Sequence, residues 1–114
     1  MFKRILFAHN ATPAAERAML YLEHLARVEE AEVVVLHVYQ VPEQYNATQG
    51  YEGLLSTLES LAHEVVDDAI AHLDGVGIKT QGLVLAGLPA QRILETAGEQ
   101  QVSLIVLGDR KSVV

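Results

Sequence analysis

Two short stretches of the chain carry residue types that could meet a ligand. "AHNAT" (Ala8 to Thr12) closes the first apolar run, and "GDRK" (Gly108 to Lys111) closes the last. A glycine directly after a buried strand lets backbone N–H groups approach an anion closely, so Gly108 could open a phosphate-receiving loop. His9 could stack on a base at the end of its strand, and Asn10 could hydrogen-bond a hydroxyl. Simpler roles compete at every one of these positions. Gly108 would serve equally as a strand-to-loop turn, Asn10 as a turn or capping residue, and His9 as a rim side chain bonded to solvent.

Other chemistry finds little support. The chain has no Cys, which excludes disulfides, thiolate nucleophiles and Cys-ligated zinc. His24, His63 and His72 fall on helical faces without a second His three or four residues away, so no metal site is expected. His37 lies inside an apolar run and is expected to be satisfied by backbone. Asp67 and Asp68 are adjacent and point apart on a helix, which prevents them from working as a carboxylate pair. Ser56, Ser60, Ser103 and Ser112 have no evident base, and Gly-x-Ser-x-Gly is missing, so no catalytic residue is assigned.

The formal charge of −7 disfavours DNA or RNA, whose affinity for proteins comes mainly from Lys and Arg. No apolar run is long enough to cross a bilayer or to act as a signal peptide, and a cytoplasmic protein is expected. Half of the 114 residues are hydrophobic and a fifth are charged, ordinary proportions for a globular chain. At this length one domain, residues 1–114, can bury roughly two thirds of its unfolded surface.

Positioning the two stretches requires a regular scaffold, and the hydrophobic pattern supplies one. "RILFA" (Arg4 to Ala8) reads as a strand. Ala15, Ala18, Met19, Leu22, Leu25 and Ala26 recur at helical spacing, with Thr12 as cap and Pro13 in the first turn. "AEVVVLHVY" (Ala31 to Tyr39) is β-branched and almost wholly apolar, as in a strand covered on both faces. Gln40 to Gly53 is polar and turn-rich, long enough for a lid over a crevice or for a plain surface loop.

Leu54, Leu58, Leu61, Ala62, Val65, Ala69 and Leu73 then form a second helical stripe, ended by "DGVG" (Asp74 to Gly77). Ile78 to Leu85 read as a strand whose Lys79 and Gln81 suit a sheet edge. Gly87 and Pro89 precede a short helix with Ala90, Ile93, Leu94 and Ala97 facing inward, and Val102 to Leu107 form the fourth strand. The order βαβαβαβ builds a doubly wound α/β sandwich through right-handed crossovers. Ligands of such sheets bind beyond the strand carboxyl ends, where strand order reverses. With the first strand central and the fourth returning to its other side, "AHNAT" and "GDRK" border one crevice.

Four stretches together resemble the universal stress protein family: "KRILFAHNATPAAERAMLYLEHLA", "VVVLHVY", "GLPAQRIL" and "VSLIVLGDR". They stand in the family's order and span the chain. The resemblance implies a flavodoxin-like, adenine nucleotide alpha hydrolase-like three-layer sandwich with strand order 3-2-1-4-5. In this chain the parallel sheet is expected to read 3-2-1-4, without the fifth strand. It further implies a homodimer and, in some members, ATP or AMP bound through Gly-x-x-Gly, nine residues, then Gly-Ser or Gly-Thr.

By the same resemblance, Ala8, His9 and Asn10 match the residues on the base and ribose side. Val38 matches the position whose backbone faces adenine, and Gly108 and Arg110 fall near the phosphates. Asn10 stands where nucleotide-binding members carry an acidic residue, Ala11 where they carry glycine, and Lys111 at the second loop glycine. The downstream Gly-Ser is absent. The expected function is accordingly a non-enzymatic, dimeric stress-response protein with weak or absent nucleotide binding that acts through protein partners. The alternative is an ATP- or AMP-binding member with slow hydrolysis. The edge of the fourth strand, with Ser112 to Val114 beyond it, is the expected oligomer contact.

Overall fold

The structure, a computed structural model, describes residues 3–41 and 49–108. Among these residues the elements are β1 (Arg4–Ala8), α1 (Pro13–Glu29), β2 (Glu32–Tyr39), α2 (Tyr51–Gly75), β3 (Thr80–Ala86), α3 (Pro89–Glu99) and β4 (Leu104–Leu107). All strand pairs are parallel, and the sheet runs β3-β2-β1-β4. The expected α/β sandwich and strand order are therefore present, with β3 at one edge and β4 at the other. Central β1 is apolar from Ile5 onward because neighbours and helices enclose it on every side.

Strand alternation divides the core in two. Ile5, Phe7, Val33, Val35 and Val106 point toward α1 and α2, where they meet Met19, Leu22, Ala26, Val66, Ala69 and Leu73. Leu6, Val34 and Leu36 point the other way and are covered by Ile93 and Ala97 of α3. On β3, Gly82 lets α2 lie close, since a Cβ there would stand 2.5 Å from Val66 and 2.6 Å from Ile70.

Thr12 caps α1 by accepting from the Ala15 N–H at 3.2 Å, with Pro13 in the first turn. That helix stops at Glu30, which adopts φ +53, a left-handed ending that the residue type does not announce.

Two helices differ from the pattern read in sequence. In α2 the stripe is shifted, with Leu54 and Leu61 exposed while Val66 is buried and Ile70 packs against the core. A 25-residue helix is about 37 Å long and an eight-residue strand about 26 Å, so the first turns of α2 run past the sheet. In α3, Ile93 and Ala97 face inward as expected, but Ala90 is exposed and Leu94 is 69% exposed. Thr96 takes a buried place instead.

Candidate functional site

The crevice forms where β1 ends between its two neighbours. Pairing continues one residue past the strand, as the His9 N–H donates to the Leu36 carbonyl at 2.8 Å. The chain then turns sharply through Ala11, whose φ of +62 is left-handed. For a residue with a Cβ this conformation costs about 1–2 kcal/mol. Local side-chain bonds hold the turn. The Ala11 N–H donates to His9 Nδ1 at 3.0 Å, and the Thr12 hydroxyl donates to Asn10 Oδ1 at 2.6 Å.

His9 is 4% exposed, with its ring tilted 5.3 Å from that of Phe7. Nε2 lies 3.3 Å from Glu16 Oε1 on α1, and the His9 carbonyl accepts from His37 Nδ1 at 2.6 Å. His37 is thus satisfied by backbone, as its place in an apolar strand requires. Burial pushes the His9 imidazole below its ordinary pKa, and the Glu16 carboxylate pulls it part of the way back.

A cavity of about 470 Å³ opens beside this turn, on the sheet face covered by α3. Ala8, His9, Asn10 and Val38, all expected at a site, line it together. Leu36, Ile105 and Leu107 add apolar wall from the strands, and Pro89, Ala90, Ile93 and Leu94 from α3 close one side. The α3 residues were expected in the core rather than in a cavity wall. Ile105 and Leu107 were not assigned to the site from sequence, although alternation along a strand paired with β1 puts them on one face with Ala8.

Gly108 is buried yet does not line this cavity. A Cβ there would stand 2.5 Å from both Cα and Cβ of Ala15 and 3.0 Å from its nitrogen, so the strand end packs directly on the first turn of α1. Close helix approach alone is a sufficient reason for glycine at this position. Arg110, Lys111 and Ser112 to Val114 lie outside the described residues, as do residues 42–48, half of the stretch read as a lid or a surface loop, whose last three residues, Tyr51 to Gly53, form the first turn of α2 instead. Among the described lining residues none bears a permanent charge, so the cavity suits a flat, largely apolar group with one polar edge at Asn10.

A parallel sheet of this order, with its crevice at the switch point, is a doubly wound α/β sandwich. Comparison with known proteins narrows the class. The model of the universal stress protein family matches residues 1–113, and the chain belongs to that family. A universal stress protein from Thermus aquaticus, encoded 3′ of a QAH/OAS sulfhydrylase, is 34% identical over 110 residues, covering 96% of this chain and 79% of the relative. The crystal structure of a family member from Burkholderia pseudomallei superposes with a TM-score of 0.84 at 24% identity, covering 95% of this chain and 82% of the other. A universal stress protein solved in complex with cAMP matches with a TM-score of 0.70 at 14% identity, over 92% and 75% of the two chains.

Proposed function

We propose that the protein is a non-enzymatic, dimeric stress-response regulator of the cytoplasm whose crevice binds an adenine nucleotide weakly, through the base and ribose. The carrying observation is the apolar lining around Ala8, Leu36, Val38 and Ile105, with the neutral amide of Asn10 at one end. Such a wall favours a purine ring and offers little to a polyphosphate. The volume is sufficient, because small-molecule sites commonly span about 300–1,000 Å³. Gly108 has a packing role that is independent of phosphate. The cAMP complex of a relative supports the ligand class. Dimerisation is supported by β4, which among the described residues is a four-residue edge strand paired with β1, and by the exposed apolar side chains of Leu88 and Leu94.

Denaturing the purified protein and chromatographing what is released tests the ranking. The expected result is less than stoichiometric ATP or AMP, followed by weak calorimetric binding when ATP with Mg²⁺ is titrated. Stoichiometric nucleotide would instead favour the second reading, an ATP- or AMP-binding member with slow hydrolysis using Asn10, Val38 and Gly108. Under that reading Lys111→Gly strengthens ATP binding. Light scattering of the same sample reports the dimer.

A further inference from the structure

We propose that His9 is a pH-sensitive latch: a positioning residue whose neutral ring holds the Asn10–Ala11 turn at the rim of the crevice. The ring stands behind this rim, against Phe7 and α1. Because the Ala11 N–H donates to Nδ1, that nitrogen carries a lone pair and the ring proton resides on Nε2, directed at Glu16. Ala11 adopts φ +62, a conformation that residues with a Cβ disfavour, so the turn depends on the bonds around it. A proton arriving at Nδ1 converts the acceptor into a donor and sets two N–H groups against each other. Ala11 then loses its partner, and Asn10, which lies between the two residues and lines the cavity, is held only from the other side, by the Thr12 hydroxyl on its Oδ1.

Among the described residues, the titratable groups facing His9 are Glu16 from α1 and His37 from β2. The cavity walls from β4 and α3 (Ile105, Leu107, Pro89 and Ala90) carry no charge. Glu16 bonds to Nε2 and can accept from it in either charge state, so protonation leaves that contact intact and breaks only the one to Ala11. His37 cannot perform the same switch. Its Nδ1 already donates to a backbone carbonyl, and a donor nitrogen keeps its proton when the ring becomes charged.

The direction of the pH effect follows. In the unfolded chain His9 takes up its proton near the ordinary value of about 6.5, whereas burial makes the folded protein resist it to lower pH. The stability held by the neutral ring is therefore complete above about pH 6.5 and declines as the pH falls from there toward the folded pKa. The latch is closed at neutral pH and opens on acidification.

Nitrogen-15 NMR of the full chain, followed from about pH 8 to about pH 5, tests this without any nucleotide, so it stands or falls separately from the proposed function. At neutral pH, His9 Nδ1 is expected at the shift of an unprotonated ring nitrogen. On acidification the Ala11 amide and the Asn10 side-chain amide should move with the midpoint of the His9 ring, below 6.5. Glu16→Gln should lower that midpoint further by removing the carboxylate that favours the charged ring. His9→Gln, whose carbonyl can accept from Ala11 but does not titrate, should flatten the Ala11 curve. The proposal is overturned if Nδ1 is protonated at neutral pH, or if Ala11 stays still while His9 titrates. It is equally overturned if Glu16→Gln leaves the Ala11 midpoint in place, a comparison that remains decisive should His9→Gln fail to fold.

Discussion

The two faces of the sheet are built to different standards. On one, the 17 residues of α1 and the 25 of α2 enclose Ile5, Phe7, Val33 and Val35 completely. On the other, the 11 residues of α3 cover Leu6, Val34 and Leu36, leave Ile105 and Leu107 partly open, and border a cavity. The first face holds the fold together. The second has spare apolar surface, and Ala8, His9, Asn10 and Val38, four of the residues expected at a site, converge there.

Substitutions on either side should reveal that inequality. Leu22→Ala, in the thick face, is expected to cost about 3–4 kcal/mol, whereas Ile105→Ala, at the cavity wall, should cost about 2 kcal/mol or less, as read from denaturant midpoints. Equal losses would mean that the thin face is covered in solution. Gly108→Ala probes the seam between the faces. Driving a Cβ into Ala15 should cost about 1–3 kcal/mol, and a neutral result would show that the end of β4 is free to move away from α1. Smaller still is the expected effect of Thr96→Val, which removes a buried hydroxyl without a hydrogen-bond partner and should raise stability by about 1 kcal/mol. A loss of stability there would mean that the hydroxyl is bonded after all.

The same inequality explains what could be read from sequence. Strands β1 and β2 were plain, because a strand enclosed on both sides must be apolar throughout and β-branched runs show it. The inward face of α1 was equally plain. In α3 the 3.6-residue pattern assigned Ala90 and Leu94 to the core, since periodicity marks apolar positions without telling a packed wall from a cavity wall. Thr96 was missed for the opposite reason, as a polar type in a buried place. At the site, Ala8 and Asn10 were legible through their place at the end of the first strand, while Val38 came from the family resemblance alone. The His9–Ala11 bond was not, because it depends on a left-handed φ at an alanine, which no residue type advertises. The close contact of Gly108 with Ala15 likewise needs coordinates, since glycine in sequence does not distinguish a turn from a close approach.

Among the described residues, the first strand of the chain pairs with the fourth. Arg4 accepts bonds from the backbone N–H and hydroxyl of Ser103, 99 positions downstream, and its guanidinium reaches the Gln100 carbonyl. During synthesis β1 and β2 can join early, but one flank of β1 must wait until β4 has left the ribosome. Closure of so distant a pair is slow. The pocket is therefore incomplete until β4 has emerged, and until then the flank of β1 that β4 will occupy is open to any chaperone or neighbouring nascent chain that offers a strand.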